Sequence, residues 1–191
     1  MYPVLFEIGK ISVYSYGLMI AIGAKLGVMY MTDRGKLEAG LAKEQANALF
    51  LYIFLAAFIG GKVFLLFEDP SRYINKPLKL LTGQGFVFYG SFLFAVPTML
   101  WFFNKHKLNL YKMLDVMAIT TCIVHMFGRV GCFLAGCCYG LPTDVAWGVT
   151  FTNPACQAEP KNVPLHHTQL YEAFYIIVVM VFLLYMRGKR K

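Results

Sequence analysis

The sequence predicts an all-α integral membrane protein with about five transmembrane helices and a small exoplasmic cap between the last two. Of its 191 residues, 58% are hydrophobic and 15% are charged, and the mean hydropathy is +0.56. A soluble domain has about half apolar and a quarter charged residues. Five apolar runs of roughly membrane-spanning length cover residues 12–31, 46–67, 86–103, 113–127 and 169–186. The length allows one membrane domain, 1–191.

The first three runs contain polar residues and glycines that favour close packing or a polar cavity. Tyr16 opens the first run, where aromatic residues are common at the membrane interface. Gly60-Gly61-Lys62 breaks the second run, and its glycine pair permits close helix packing. The lysine there could snorkel or reach an anionic head group. Tyr89 lies near the outer end of the third run and is followed by Gly90, so the tyrosine has flexible and polar neighbours.

The fourth run ends in the most informative stretch of the chain, Gly128-Arg129-Val130-Gly131-Cys132. A guanidinium at that depth costs at least roughly 2.5 kcal/mol on insertion scales unless it faces water or an anion. Its planar fork suits phosphate or carboxylate, and Gly128 and Gly131 let backbone or a head group come close. A snorkelling arginine at a helix end is the alternative. His125 lies one turn earlier on the face of Arg129, as an interior residue or a general base.

The longest polar stretch, residues 140–167, is predicted to form the cap, with turns and short strands near residues 146–151. The fifth run follows it, with Thr168 as its N-cap. Gln169 and Glu172 are spaced i, i+3, so an amide and a carboxylate share one face. If the ends of the fourth and fifth helices meet, Glu172 is the natural partner of Arg129.

Four cysteines follow the fourth run or lie in the cap: Cys132, Cys137, Cys138 and Cys156. In an oxidising exoplasmic space we expect at least one disulfide among them. A metal site completed by His166 or His167 is an alternative, but the spacing of the four is not that of a structural zinc site. We therefore predict no metal ion and no cofactor.

Basic residues orient the helices. With the N-terminus outside, the cytoplasmic segments hold ten Lys and Arg residues and the outer segments six, so the positive-inside rule predicts the C-terminus inside. The net charge of +8 favours the anionic inner leaflet. This chain has no soluble module in which a basic run alternates with aromatic residues, so we expect no nucleic acid partner. The first residues lack a basic region and a cleavage site, and we expect no removable signal peptide.

The chain resembles the prolipoprotein diacylglyceryl transferases, bacterial inner-membrane enzymes that move diacylglyceryl from phosphatidylglycerol to the cysteine thiol of lipoprotein precursors. The segments that match in order are residues 14–19, 60–62, 85–90, 128–140 and 166–172. The family signature G-R-x-G-N-F-x-N-x-E-x-x-G is matched at Gly128, Arg129, Gly131, Phe133 and Gly140.

The departures from the family fall at positions that carry its chemistry. The two asparagines and the glutamate of the signature correspond to Cys132, Ala135 and Cys137. The essential histidine of the family corresponds to Tyr89, and Lys62 stands where an arginine is usual.

The resemblance implies that a thiolate attacks the glycerol carbon that bears the phosphate and displaces glycerol phosphate. Arg129 would stabilise the leaving glycerol phosphate, and Tyr89 or His125 would serve as the base that forms the thiolate. Substrate binding is assigned to Tyr16, Lys62, Gly90, Gly128, Gly131, Gln169 and Glu172. The expected partners are phosphatidylglycerol, a lipoprotein precursor and the bilayer, with a further membrane subunit left open.

Two rival functions remain. A non-catalytic lipid- or lipoprotein-binding subunit would keep the cavity without the chemistry. A membrane thiol module, redox-active or metal-binding, would use Cys132, Cys137 and Cys138.

Overall fold

A computed structural model describes residues 1–9, 11–70, 73 and 86–189. Within these residues the chain is mostly helical, as predicted, and has five long helices: α1 (Ser15–Ala39), α2 (Lys43–Glu68), α3 (Phe88–Lys105), α4 (Leu110–Ala135) and α5 (Thr168–Lys189). The short strands are β1 (Val4–Ile8), β2 (Ile11–Tyr14), β3 (Val149–Thr150) and β4 (Pro164–Leu165).

Three of the described helices, α2, α4 and α5, are long and apolar enough to cross a membrane. The chain is therefore a helical membrane protein. Helices α1 and α3 match the other two predicted spans in position, and their crossing of the membrane stays a prediction. Gly85, the first residue of the segment 85–90 that resembles the family, lies outside the described residues.

The start of the first helix differs from its predicted bounds because a β-hairpin precedes it. Strands β1 and β2 pair antiparallel, with Glu7 opposite Ser12. Gly9 has a φ of +63°, a backbone conformation that glycine adopts without strain. The helix begins at Ser15, whose backbone N–H donates to the carbonyl of Pro3 at 3.0 Å. The hairpin thus takes residues 12–14 from the predicted span.

Residue contacts divide the chain into two compact units, Met31–Val116 and the remainder, formed by Met1–Tyr30 with Met117–Lys191. The boundaries fall inside α1 and α4. The prediction of a single domain covering residues 1–191 stays a prediction. The core of the Met31–Val116 unit includes fully buried apolar side chains at Leu41, Leu49, Phe102, Phe103 and Met113.

In the Met31–Val116 unit, α2 is continuous through Gly60-Gly61, so the predicted break there is wrong. The glycines instead allow α3 to approach. A Cβ on Gly61 would lie 2.6 Å from Ser91 Oγ, and one on Gly90 would lie 2.6 Å from the Cβ of Phe64. Real Cβ atoms do not come so close, so the helices meet through backbone and small residues.

In the other unit, α1 packs on α4 in the same way. A Cβ on Gly23 would lie 2.7 Å from the Cβ of Phe127, and one on Gly27 would lie 2.8 Å from Val124 Cγ2. Nearer the end of α4, a Cβ on Gly131 would lie 3.1 Å from Tyr16 Cδ2. Glycines on both helices therefore bring Tyr16 against the segment that carries Arg129.

The residues between α4 and α5 form a compact segment with its own core. Strand β3 pairs with β4, Val149 opposite Leu165. Phe151, Cys156, Ala158 and Leu165 are buried together. Tyr139 ties the segment, because its hydroxyl donates to the carbonyl of Glu159 and accepts from the backbone N–H of that residue, both at 2.8 Å. The predicted turns and short strands are present, and the exoplasmic placement of the segment stays a prediction.

Candidate functional site

One carboxylate holds two cationic or proton-carrying side chains at the site. Glu172 near the start of α5 contacts Arg129 Nη2 through Oε2 at 2.7 Å and His125 Nε2 through Oε1 at 3.1 Å. Because Arg129 follows His125 by four residues on α4, both side chains lie on one face of the helix. The predicted contact between Glu172 and Arg129 is confirmed, and His125 joins it.

Arg129 has hydrogen-bonding capacity left over. A guanidinium carries five N–H donors, and the buried Nε of Arg129 has no hydrogen-bond partner among the described residues. A buried donor without a partner costs about 1–3 kcal/mol. An anion that accepted this bond would recover that cost, so the site favours a phosphate or carboxylate ligand beside Glu172.

Tyr16 lies at the same end of the unit. Its side chain is 43% exposed, and its hydroxyl interacts electrostatically with Arg129 and with the three nearby thiols. Gly131 gives the ring room, as described above. Gly128 is less crowded, because a Cβ there would meet only Ile20 Cδ1 at an ordinary 3.5 Å. Of the two predicted glycines, Gly131 is therefore the one that positions a site residue.

The end of α4 folds three cysteines together. Gly136 takes the left-handed conformation, with φ +72°, and its N–H donates to Phe133 at 3.2 Å while that of Cys137 donates to the carbonyl of Cys132 at 3.1 Å. These two bonds form a Schellman motif, which reverses the chain. Cys138 also has a positive φ, +59°. As a result the sulfurs of Cys132, Cys137 and Cys138 lie within 4.8 Å of one another.

The structure does not contain the predicted disulfide: all five cysteines are free thiols. Cys137 Sγ and Cys138 Sγ are 3.8 Å apart, whereas a disulfide bond is about 2.05 Å long. Cys156 is buried in the core of the segment that connects α4 to α5, and it is not part of the cluster. Hydrogen bonding with Cys132, together with burial, raises the pKa of the Cys137 thiol.

The first turn of α5 holds the backbone of the thiol segment. Gln169 is fully buried, and its Nε2 donates to the carbonyl of Cys137 at 2.5 Å. The Thr168 hydroxyl donates to the carbonyl of Cys138 at 2.8 Å. The helix begins at Thr168 and the backbone N–H of Leu170 donates to the carbonyl of His167 at 2.9 Å, so Thr168 is not the predicted N-cap. The Gln169 Oε1 atom is buried without a partner among the described residues. Gln169 therefore positions the thiol segment and keeps one acceptor free.

Sequence reasoning missed an aromatic network beside Glu172. Trp147 Nε1 donates to the Tyr171 hydroxyl at 2.8 Å, and His166 Nδ1 lies 3.2 Å from the same oxygen. The ring of His167 lies 4.6 Å from that of Tyr171. These contacts attach the segment before α5 to its first turn. The sequence offered one signal for this network, because Tyr171 directly precedes Glu172.

Three predicted site residues belong to the Met31–Val116 unit. Tyr89 is 72% exposed, with its ring centroid 5.9 Å from that of Phe88. Lys62 is buried, with its Nζ 6.0 Å from the centroid of the Phe58 ring. Gly90 serves the helix crossing described above. Because Tyr89, like Arg129, Tyr16 and Glu172, is a polar group at the outer end of its predicted span, the sequence predicts that the four converge on one pocket. That convergence stays a prediction.

The helices and this site define a class: a multi-helix membrane protein with an arginine–carboxylate pair and an unused guanidinium donor. The chain matches the prolipoprotein diacylglyceryl transferase family over residues 3–191. It is 36% identical to the phosphatidylglycerol–prolipoprotein diacylglyceryl transferase of Clostridium tetani, over 99% of this chain and 75% of that protein.

Two further relatives carry the same name. Transferase 2 of Clostridium perfringens is 30% identical over 98% of this chain and 73% of its own length. The Vibrio atlanticus enzyme is 32% identical over 95% of this chain and 66% of its own length. The chain belongs to the prolipoprotein diacylglyceryl transferase family.

Proposed function

We propose that this protein is a phosphatidylglycerol–prolipoprotein diacylglyceryl transferase of the bacterial inner membrane. The sulfur of a lipoprotein-precursor cysteine forms a bond to the glycerol carbon of phosphatidylglycerol that bears the phosphate. The bond from that carbon to the phosphate oxygen breaks, and glycerol phosphate leaves with the electron pair. The thiol proton is lost as the thioether forms. Family membership and the Arg129–Glu172–His125 contacts support this reaction.

The observation that carries the proposal is the Arg129 Nε donor, which has no acceptor in the described part of the chain and lies beside the Glu172 contact. The leaving phosphate gains negative charge as the carbon–oxygen bond breaks. A preorganised guanidinium in a low-dielectric site stabilises such charge in the transition state. Glu172 contacts the guanidinium at Nη2 and leaves Nε for the phosphate.

His125 is the base that we favour. Its Nε2 lies 3.1 Å from the Glu172 carboxylate, and a catalytic base is commonly oriented by a third group in this manner. Tyr89 is exposed and belongs to the other compact unit. A phenol is also a poorer base than an imidazole near neutral pH, because its pKa is about 10.

The remaining assignments concern the lipid and the membrane. Tyr16 and Gly131 would lie against the head group next to Arg129, and Lys62 remains a candidate lipid-binding residue of the Met31–Val116 unit. We place all five long helices across the membrane, with the N-terminus outside and the C-terminus inside. The segment between α4 and α5 would then lie on the exoplasmic side, which is where lipoprotein precursors emerge from the membrane.

A reconstituted transfer assay tests the proposal. The purified chain is placed in vesicles of phosphatidylglycerol with a peptide that carries a lipobox cysteine, and the peptide mass is measured. We expect the peptide to gain a diacylglyceryl group, and phosphatidylcholine vesicles and a serine peptide serve as controls. Phospholipid retention without any transfer, with and without membrane partners, would instead support the binding-subunit alternative.

A further inference from the structure

The three clustered thiols are close enough together to bind one metal ion. Cys132, Cys137 and Cys138 have their sulfurs within 4.8 Å of one another. Zinc binds thiolate sulfur at about 2.3 Å, which in a tetrahedral site separates the sulfurs by about 3.8 Å. The Cys137 and Cys138 sulfurs are 3.8 Å apart. Movements of at most about 1 Å would bring the third sulfur to the same spacing.

The backbone is built to hold the thiols there. The Schellman motif at Gly136 returns Cys137 toward Cys132, and the positive φ of Cys138 turns the chain again. Gln169 and Thr168 then hold the carbonyls of Cys137 and Cys138. A Cβ on Gly136 would lie 2.8 Å from that of Cys156, so glycine serves both the conformation and the packing.

Resting on the transferase function proposed above, we propose that Cys132, Cys137 and Cys138 bind a zinc ion whose fourth position takes the thiol of the lipoprotein precursor. Zinc sites in enzymes characteristically have three protein ligands and one position for water or substrate. A thiol that coordinates zinc is deprotonated outright. Cys138 is exposed, so the vacant position has a side open to an incoming peptide.

The charges of neighbouring groups fit such a complex. Three thiolates and Zn²⁺ leave one net negative charge, which a substrate thiolate increases. Arg129 interacts electrostatically with Cys132 and Cys138, so its guanidinium offsets the negative charge on one side and faces the leaving phosphate on the other. Thiolate ligands also select zinc over hard cations such as Mg²⁺ and Ca²⁺.

The reaction remains the balanced transfer given above. On binding zinc, the substrate cysteine loses its S–H proton to His125. The bound sulfur forms the new bond to the glycerol carbon, the carbon–oxygen bond breaks, and the departing glycerol phosphate takes the electron pair and then the proton from His125. The product is an uncharged thioether, a weaker zinc ligand than a thiolate, and it therefore leaves the metal.

Zinc binding by the purified, reduced full-length chain in detergent tests the site without requiring activity. After anaerobic removal of reductant, we expect about one zinc per chain by elemental mass spectrometry, as for a site of this ligand set. Loss of an outer partner weakens metal sites roughly 10–100-fold, so Cys132→Ser, Cys137→Ser and Cys138→Ser should each weaken zinc binding by at least that much. Cys122→Ser, on the same helix as Cys132 but outside the cluster, is the matched control. Equal zinc binding by the wild-type chain and all three variants would overturn the proposal.

Thermal unfolding of each variant shows whether it is folded. If Cys132→Ser or Cys137→Ser fails to fold, the exposed Cys138→Ser carries the test. An intact mass lower by two hydrogens before reduction would mean a disulfide, and retention of copper(I) with no zinc would mean a different metal. Either result would overturn the zinc site.

Cobalt(II) in place of zinc tests the vacant position. We expect thiolate-to-cobalt charge-transfer absorption, and a lipobox peptide should shift the visible cobalt bands while the same peptide with serine should not. An identical response to both peptides would overturn the role of the vacant position. If the cobalt results hold but no transfer occurs, the metal site stands and the proposed function fails. Transfer that persists in the zinc-free chain would leave the proposed function intact and overturn the role of zinc.

Discussion

Glu172 is the residue on which the site depends most, because its two oxygens serve different partners. Oε2 contacts Arg129 and Oε1 contacts His125. A single carboxylate thus sets the orientation of the group that meets the phosphate and of the group that accepts the thiol proton. The pair is partly exposed, and ion pairs of that kind add at most about 1 kcal/mol to folding. Its importance is therefore for geometry more than for stability.

The first prediction is that Glu172→Gln impairs transfer while the fold persists. Glutamine replaces one of the two carboxylate oxygens with an NH2 group, which donates and cannot accept, so the contact that this oxygen makes with Arg129 or with His125 is lost. We expect the transfer rate to fall at least roughly tenfold, since small misplacements of reacting groups cost up to about 100-fold, and the unfolding free energy to change by less than about 1 kcal/mol. Peptide lipidation and thermal unfolding measure the two effects. An unchanged rate would remove Glu172 from the mechanism.

The second prediction separates the two candidate bases. His125→Gln should slow transfer by about 100-fold or more, the range expected when a general base is lost. Tyr89→Phe should slow it by less than about tenfold, because a base contributes more than that and the phenol is not the base in this account. Phospholipid retention should be intact in both variants. The opposite ranking would make Tyr89 the base, in the position of the histidine usual in the family.

Much of the site could be predicted at the residue scale, and what could not depends on backbone conformation. Arg129 and Glu172 were paired from helix ends and charge alone. Cys132, Cys137 and Cys138 were grouped only as a rival thiol module, and their close approach could not be derived because it requires the left-handed conformation at Gly136 and at Cys138. Glycine signals such a turn, whereas cysteine at positive φ gives no sequence signal. The disulfide prediction is wrong: it was based on an oxidising exoplasmic space, and the structure has separate thiols.

At the scale of helices, glycines determine which elements approach each other. The glycine pair in α2 was predicted to permit close packing and to break the helix. The close packing is present, but the helix is not broken, because it runs without interruption over Lys43–Glu68. Close backbone packing at the glycines stabilises the helix pair, because there is little hydrophobic force between helices inside a membrane.

The third prediction tests this packing. Gly90→Ala should destabilise the protein by about 1–3 kcal/mol, as overpacking typically does, because the new Cβ would lie 2.6 Å from Phe64 and still closer to the carbonyl of Gly60. Gly17→Ala, on α1, is the matched control: nothing lies within 4 Å of its Cβ position, and alanine favours a helix by up to about 1 kcal/mol. Thermal unfolding in detergent measures both. Equal stability of the two variants would contradict the close crossing.

The hairpin before α1 was missed although a signal for it exists. Hydrophobic and polar residues surround Gly9, and a glycine at a two-residue connection is a recognised hairpin pattern. The apolar character of residues 11–14 blends into the helix that follows, so a hydropathy reading assigns them to the span. Strand pairing depends on contacts with Val4–Ile8, which a single apolar run does not reveal.

At the scale of the whole molecule, the fourth prediction concerns topology. Thr152→Cys, in the segment between α4 and α5, should react with a membrane-impermeant maleimide from the outside of intact cells. Lys107→Cys, at an exposed position between α3 and α4, should react only after the membrane is opened. Labelling of the unaltered chain corrects for the exposed native Cys138. Reaction of the first site only from the cytoplasmic side would reverse the orientation.

The account depends most on the claim that the Arg129 guanidinium meets the phosphate of the lipid. Lysine keeps the charge at this position but loses the fork, whose bidentate donors match phosphate geometry. The decisive measurement is therefore diacylglyceryl transfer to a lipobox peptide, with phospholipid retention, by the wild-type chain, Arg129→Lys and Arg129→Ala. We predict that transfer falls by at least about 100-fold in both variants, the loss typical of a removed transition-state donor. Transfer by Arg129→Lys at close to the wild-type rate would contradict the claim.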